Sequence, residues 1–313
     1  MAGPHSTAMP ADGTPVLLGL DIGGTKIAAL IADESGRILA RDAVTAPVRE
    51  GGAAVADAAA ALGLAVAGGA PISSAGVGAA GVIDHETGTI RAASATFVDW
   101  VGFPLAAELG ARIGAPVVIE NDVNAFLLGE AADAAGDVLG VMLGTGVGGA
   151  LIVDGELRRG PHGAAGEIGH TPGYGELVCT CGQVGHLETL ASGTSIARRY
   201  TERSGIGIRG SREVADRARA GDPHAREVFH AAGRALGLAC ASAATLLDLP
   251  TAIVGGGVTQ AWDLLRPGID DALRTDAPVS GIPLGIRPAR LGGDAVALGA
   301  IEAARRSAPI PTH

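Results

Sequence analysis

Aromatic residues make up only 3% of this 313-residue chain, so its core has to be built from Ala, Val, Leu and Ile. A chain of this length suits two domains of ordinary size. Positive charge is also scarce: the net charge is −10, Lys26 is the only lysine, and the arginines form no block longer than a pair. A nucleic-acid surface would need a basic stripe, so we expect no nucleic-acid partner. No apolar run is long enough to predict a membrane span.

Cysteine is scarce as well. The chain has three cysteines, and two of them, Cys179 and Cys181, are separated by one residue. An odd number is a poor disulfide framework, whereas the close pair is a plausible start for a metal site. Residues 1–13 lack the charged and apolar regions of a signal peptide and predict a disordered tail. We therefore expect a cytoplasmic protein.

Glycine, in contrast, is abundant, with 50 residues clustered beside apolar runs. One pattern occurs twice, starting at Val16 and at Val138: an apolar strand, a glycine-rich turn, a second strand and another turn. This predicts a structural duplication. Other apolar runs predict further elements. The predicted strands are 16–22, 27–32, 37–40, 74–82, 116–120, 138–143, 150–153 and 251–254, and the predicted helices are 52–68, 123–135, 225–247 and 298–306.

The two glycine-rich turns, 23–26 and 144–149, have a physical use, because phosphate oxygens need close approach by backbone amides. Neither is a Walker sequence. The second has the spacing of a dinucleotide fingerprint, but a strand follows it where that motif needs a helix. An ordinary tight hairpin is the alternative for one such loop. Two loops in equivalent positions make that alternative weaker.

The residues around the first turn suggest how phosphate would be held. Asp21 ends a strand, where its carboxylate could hold Mg²⁺ through water. Thr25 and Lys26 could meet phosphate. Lys26 could equally be an ordinary exposed charge, as lysines commonly are.

Asp122 lies at a predicted strand-to-helix junction, where a side chain can project into a cleft. Phosphoryl transfer needs a base aligned with the acceptor hydroxyl, and a carboxylate suits that role. Asn and Asp also cap helices, so the residues alone leave capping and catalysis open.

Residues 18–26 and 143–149 resemble the two phosphate motifs of the ROK family of sugar kinases and repressors. Residues 255–257 resemble its adenosine motif, and residues 292–300 its C-terminal segment. The resemblance spans about 16–306. It implies an α/β fold of two actin-like ATPase (ribonuclease-H-like) lobes with a cleft between them. The expected lobes are a small one, 14–122 plus 298–313, and a large one, 123–297, that carries a zinc site.

The resemblance also implies roles for individual residues. Asp122 would be the catalytic base, and it would contact the sugar together with four further residues: Asn121, Glu167, His170 and Glu188. ATP and its phosphates would be bound by Asp21, Gly23, Gly24, Thr25, Lys26, Gly144, Thr145, Gly146, Gly255, Gly256 and Gly257.

A zinc cluster is implied in the same way, by His170, Cys179, Cys181 and His186. His186 stands where the family motif has a third cysteine, and imidazole is also a good zinc ligand. The zinc would be structural, with one nitrogen of His170 on the metal and the other on the sugar. Two buried thiols and two solvent-exposed histidines are the alternative. Cys240 is expected to be core, and His85 and His162 are expected to be loop residues.

We therefore expect transfer of the ATP γ-phosphoryl group to a hexose, with Mg²⁺ and structural Zn²⁺, most simply to the 6-hydroxyl of glucose. Family glucokinases often have an Asn shortly before the position of Trp100, and this chain has none, so an N-acetylmannosamine, amino-sugar or cyclitol kinase is the alternative. A sugar-sensing repressor is the rival from another class, but only about 15 residues precede the first strand, too few for its DNA-binding region. The family resemblance implies a homodimer or homotetramer.

Overall fold

The computed structural model describes residues 13–132, 134 and 136–307. The predicted tail therefore lies outside the described residues, apart from Gly13. The strands are β1 (Val16–Ile22), β2 (Lys26–Ala32), β3 (Ile38–Thr45), β4 (Ile72–Ala79), β5 (Val82–Asp84), β6 (Thr89–Ala92), β7 (Val117–Asn121), β8 (Val138–Leu143), β9 (Val147–Val153), β10 (Glu156–Leu157), β11 (Thr251–Gly255) and β12 (Gly285–Pro288).

Helices fill most of the chain between these strands. The α-helices are α1 (Gly52–Ala67), α2 (Leu105–Ile113), α3 (Asp122–Glu130), α4 (Glu188–Ala191), α5 (Gly193–Ser204), α6 (Ser211–Arg219), α7 (Pro223–Leu247), α8 (Trp262–Thr275) and α9 (Ala295–Ser307). Short 3₁₀ helices lie at Ile168–His170, Gly257–Ala261 and Gly292–Asp294. Across the described ranges, no helix is both long and apolar enough to cross a membrane.

The chain forms two compact units. Of the described residues, the first unit contains 13–132, 160–164 and 293–307, and the second contains 134, 136–159 and 165–292. Each unit has a five-stranded sheet, ordered β3-β2-β1-β4-β7 in the first and β10-β9-β8-β11-β12 in the second. In both, an antiparallel group of three strands is extended by two parallel strands. The predicted α/β class and the structural duplication are confirmed.

The first unit depends on close helix contacts that only glycine allows. A Cβ atom at Gly76 of β4 would overlap the backbone of α9 at Ala300, and one at Gly299 of α9 would overlap the backbone of α3 at Ala125. α9 therefore packs directly on both the sheet and α3. This packing explains why α3 and the start of α9 belong to the first unit, although the expected lobes divided the chain at 122 and 298.

The second unit is built around the long helix α7. Its N-cap is Asp222, whose side chain accepts a hydrogen bond from the Ala225 amide, and Pro223 stands at the first helical position, where no amide donor is needed. Phe229 and Leu236 on α7 are fully buried in a cluster that includes the strands β8 and β11. Burial of such an apolar face is the main driving force for folding.

Most predicted elements are present, several with shifted bounds, and two differ more substantially. The predicted strand 74–82 is two elements, because Gly81 has a φ of 116° and turns the chain between β4 and β5. The predicted helix 123–135 is wrong at its C-terminal end: α3 ends at Glu130, and Ala131 leaves the helical conformation. The turn that ends the second copy of the repeated pattern lies at 154–156 and joins β9 to β10, with positive φ at Asp154 and Gly155.

Candidate active site

Acidic side chains gather at the carboxyl ends of the parallel strands in the first unit. Asp21 of β1 and Glu120 of β7 both lie opposite Gly78 of the central strand β4. Asp122 follows β7 as the first residue of α3. Burial, and then the charge of Asp122, raise the pKa of Asp21 to about 7, while Lys26 lowers it. Two mutually repelling carboxylates are a suitable environment for a hard cation such as Mg²⁺.

The helix cap at this position is Asn121. Its Oδ1 accepts hydrogen bonds from the amides of Val123 and Asn124 at 2.9 and 3.2 Å. Its Nδ2 donates to the Gly81 carbonyl and to Asp122 Oδ1, both at 3.0 Å. Asp122 is therefore not needed as the cap. Instead, its carboxylate is oriented by Asn121 and by the Val123 amide, 3.0 Å from Oδ1.

Glu120 is a buried acid whose contribution the sequence analysis missed. Its side chain is 1% exposed. Its Oε1 accepts hydrogen bonds from the Asn121 amide and from Asn124 Nδ2, at 3.0 and 2.9 Å, and lies 3.7 Å from Nε2 of His85. Glu120 thus ties the end of β7 to the first turn of α3. An acidic residue inside an otherwise apolar strand was the available signal.

The first glycine turn joins β1 to β2 as a tight hairpin. The Gly23 amide donates to the Lys26 carbonyl at 3.0 Å, and Lys26 begins β2. Thr25 and Lys26 are exposed. A Cβ atom at Gly24 would lie 3.4 Å from Cγ2 of Thr96, so the segment before Trp100 packs beside this turn. The contacts with phosphate expected here stay predictions.

A cavity of about 740 Å³ lies in the second unit. Gly144 and Thr145 of the second glycine turn line it, together with the first residues of two helices, Gly193 of α5 and Ser211 of α6. The Gly193 amide donates to the Gly144 carbonyl at 2.8 Å. Helix N-termini and exposed amides favour anionic groups. The cavity can therefore receive a nucleotide or another phosphate ester.

The cavity contains one of the three glycines expected to meet adenosine, Gly257. Gly255 ends β11, and Gly256 follows with a φ of 88°, where a Cβ atom would overlap the Leu143 backbone. Glycine at 256 thus lets β11 end against β8. The sequence analysis missed the other eleven lining residues, and a Ser–Gly–Thr helix start at 192–194 was the available signal. Among the missed residues are Gly193, Thr194, Arg198, Arg209 and Ser211.

The predicted sugar ligands of the second unit lie near one another. Glu167 precedes the 3₁₀ helix that ends at His170. Burial raises the pKa of Glu167; His170 lowers it, and the charge of Glu188 raises it further. Glu188 begins α4 and is buried. The two carboxylates and the imidazole therefore form one polar cluster, whose atoms can form hydrogen bonds with sugar hydroxyls.

His170, Cys179, Cys181 and His186 form a compact cluster whose ligand atoms all lie within 4.8 Å of one another. The His186 Nδ1 atom lies 3.3 Å from His170 Nδ1 and 3.3 Å from Cys181 Sγ, and the His170 Nδ1 atom lies 3.7 Å from Cys179 Sγ. These separations suit donors around one tetrahedral ion. The structure thus brings all four predicted ligands together.

The surroundings of the cluster also suit a metal. Nε2 of His186 lies 3.1 Å from Oε1 of Gln183, which can accept its proton and so leave Nδ1 as the ligand atom. Cys179 is buried and Cys181 is exposed. Cys179 and Gln183 are joined by a backbone hydrogen bond of 2.7 Å, so the loop that carries the thiols is a closed hairpin. The two-His, two-Cys donor set fits zinc.

Comparison with known proteins identifies the family. The model of the ROK family matches residues 17–307. The chain therefore belongs to the ROK family. Its two sheets with flanking helices match the fold of a solved ROK glucokinase and a solved ROK hexokinase.

Individual relatives are similar over most of their length. A glucokinase of Streptomyces coelicolor is 35% identical over 321 residues, covering 94% of this chain and 98% of the relative. An N-acetylmannosamine kinase of Escherichia coli is 32% identical over 252 residues, covering 77% and 82%. A ROK family glucokinase from Streptomyces griseus, solved in complex with glucose and AMPPNP, has a TM-score of 0.81 at 35% identity and covers 93% of this chain and 100% of that one.

Proposed function

We propose that this chain is an ATP-dependent glucokinase, which transfers the γ-phosphoryl group of ATP to the 6-hydroxyl of glucose. The observation that carries the proposal is the position of Asp122 at the start of α3, with Asn121 capping the helix and orienting the Asp122 carboxylate. The similarity to glucokinases over nearly the whole chain supports the same activity.

Asp122 acts as the base. In phosphoryl transfer the protein mainly positions the reactants and stabilises charge, and a carboxylate accepts the proton of the attacking hydroxyl. Asp122 lies close enough to Asp21 for its charge to raise the pKa of Asp21, so the two acids form one acidic group. We assign Asp21 to Mg²⁺, held through water, and Asp122 to the sugar hydroxyl.

The glycine turns provide backbone amides for phosphate. The turn at Gly144–Gly146 opens into the cavity with the α5 and α6 N-termini, which we assign to ATP. Gly23, Gly24, Thr25 and Lys26 form the corresponding turn of the first unit. Amides arranged before the reaction stabilise developing charge without reorganisation. Water competes with the sugar as the acceptor of the phosphoryl group, so we expect the site to exclude water when both substrates bind. We expect the enzyme to act in the cytoplasm as a soluble protein.

Zinc would be held by His170, Cys179, Cys181 and His186, and its contribution would be structural. Nδ1 of His170 belongs to the cluster, so Nε2 is the nitrogen we assign to the sugar. Glu167 and Glu188 complete the sugar ligands in the second unit. Asn121 is assigned to the sugar as well, in addition to its cap. Selectivity follows because a substrate lacking a matching hydroxyl leaves buried polar atoms unpaired.

A coupled ADP-release assay tests the proposal. Purified protein with Mg²⁺ and zinc is given glucose, mannose, fructose, N-acetylmannosamine, N-acetylglucosamine or kanosamine. We expect the largest kcat/KM with glucose and glucose 6-phosphate as its product. Absence of ADP release with every sugar would disprove a sugar kinase of this type.

An N-acetylmannosamine or other amino-sugar kinase is the second candidate. It is favoured by the segment before Trp100, which has Thr96 beside the first glycine turn and no Asn. A relative with N-acetylmannosamine kinase activity is 32% identical. A larger kcat/KM with N-acetylmannosamine than with glucose would select this candidate, and it would leave the assignment of Asp122 unchanged.

A further inference from the structure

The carboxylate of Glu188 joins two loops of the second unit. Its Oε2 accepts a hydrogen bond of 3.0 Å from the Val147 amide, which follows the second glycine turn. Its Oε1 accepts one of 2.6 Å from the Thr180 hydroxyl, which lies between the two cysteines of the metal cluster. The Glu188 side chain and its hydrogen bond to Val147 are buried, whereas Thr180, the other donor, is an exposed residue.

The glycine turn is shaped to receive this carboxylate. A Cβ atom at Gly146 would lie 2.5 Å from Oε2 of Glu188, which is closer than real Cβ contacts allow. The Val147 amide points at the same oxygen. Glu188 therefore supports the phosphate turn from behind, in addition to the sugar contact assigned above.

Thr180 provides the hydroxyl that keeps the carboxylate in this position. Cys179 Sγ lies 3.6 Å from Glu188 Oε1 and 3.9 Å from the Thr180 hydroxyl. A thiol is a weak donor and its separation from Oε1 is long, so the Thr180 hydroxyl, at 2.6 Å, is the donor that holds Oε1.

We propose that Thr180 is a positioning residue that couples the metal loop to the phosphate turn through Glu188. The proposal rests on the proposed function, since it assigns the turn to ATP. When the hydroxyl is removed, Oε1 loses its short hydrogen bond, the carboxylate rotates away, and the Val147 amide loses its acceptor. The turn then binds nucleotide phosphate less well, although Thr180 itself contacts no substrate.

The test compares Thr180→Val, which keeps the shape and removes the hydroxyl, with Thr180→Ser, which keeps the hydroxyl. The probe is AMPPNP, titrated without sugar. For Thr180→Val we expect about tenfold weaker binding, the order expected for one lost hydrogen bond to a buried charge. The KM for ATP should rise by a similar factor, hydrogen exchange at the Val147 amide should be faster, and zinc content should equal that of the wild type. Thr180→Ser should restore all of these values.

Unchanged AMPPNP affinity and Val147 exchange in Thr180→Val would overturn the proposal. Loss of zinc in that variant would also overturn it, because the hydroxyl would then serve the metal site and not the carboxylate. Failure of the proposed function gives a different result. In that case the wild type phosphorylates no sugar, while exchange at Val147 still reports whether Thr180 and Glu188 hold the turn.

Discussion

The two units share a strand order but place different chemistry at the carboxyl ends of their parallel strands. The first unit presents side chains there, the carboxylates of Asp21, Glu120 and Asp122. The second presents mainly backbone: the Gly144 turn and the N-termini of α5 and α6. Topology places a site at this edge of a sheet. The residue types at that edge then decide the chemistry for which the site is suited. Carboxylates suit proton removal and cation binding, whereas backbone amides suit anion binding.

Asp122→Asn should have the largest effect of all, because it changes the acidic site of the first unit. The amide cannot accept the proton, whereas Asn121 still caps α3, so the fold should persist. We expect kcat to fall about 10³-fold, within the usual range for a lost general base, with glucose binding largely retained. Steady-state kinetics and calorimetric titration with glucose measure both quantities.

Asp57→Asn is the matched control, because it removes the same charge from an exposed position on α1. It should leave kcat near the wild-type value. Near-normal turnover of Asp122→Asn would mean that another group is the base.

Gly146→Ala should disrupt the second glycine turn, which is the backbone site of the second unit. The added Cβ atom would lie 2.5 Å from Glu188 Oε2, so either the carboxylate or the turn has to move. Overpacking of this kind costs about 1–3 kcal/mol, which predicts a KM for ATP roughly 10- to 100-fold higher. At Gly285 the same substitution would meet only the Pro250 carbonyl at 3.6 Å, an ordinary contact, and should have little effect. Equal ATP kinetics in the two variants would contradict the close contact.

His186→Ala should lower the zinc content below one ion per chain, because three protein ligands remain at a site whose metal we assign as structural. His186→Cys should retain the metal. Since His170 belongs to the cluster and Glu188 lies beside it, the KM for glucose should rise more than the KM for ATP. Elemental analysis and thermal unfolding are the measurements. Wild-type protein without zinc at full activity would refute the structural role.

Asp21→Asn should change stability in a pH-dependent way. In the folded chain the pKa of Asp21 is raised from 3.8 to about 7, so the folded state holds this proton more tightly than the unfolded state. The free energy of unfolding should therefore fall as the pH rises from about 4 through 7. The variant has no carboxylate to ionise at this position, so its free energy of unfolding does not fall in this way. It should be more stable than the wild type above pH 7, by a margin on the order of 4 kcal/mol or less.

Denaturant titrations in chelator between pH 4 and 8 provide the comparison. Mg²⁺ should stabilise the wild type at pH 8 and leave the variant nearly unchanged. Parallel pH profiles of the two proteins would show that Asp21 keeps an ordinary pKa.

The family resemblance predicted the four residues that form the Cys/His cluster, and the sequence predicted both glycine turns, because most of these residues lie in short segments. Cys179 and Cys181 lie within one hairpin, and His186 follows it closely. Glu120 and Thr180 escaped prediction, because their partners are set by the fold: Asn124 lies one helical turn into α3, and Glu188 starts a separate helix. Which of residues 121 and 122 caps α3 could likewise be decided only once the first residue of α3 was known.

Asp122 was a candidate base from its place after an apolar strand, and Glu188 a candidate sugar ligand from a family motif. The sequence by itself determined the class of fold, the duplication and the residue types available for chemistry, since apolar periodicity and glycine clusters are encoded locally. Only the structure decided that Asn121, and not Asp122, caps α3, and that Glu188 accepts a hydrogen bond from the Val147 amide after the second glycine turn. Close approach between segments distant in sequence creates the bond to Val147, and no local pattern specifies it.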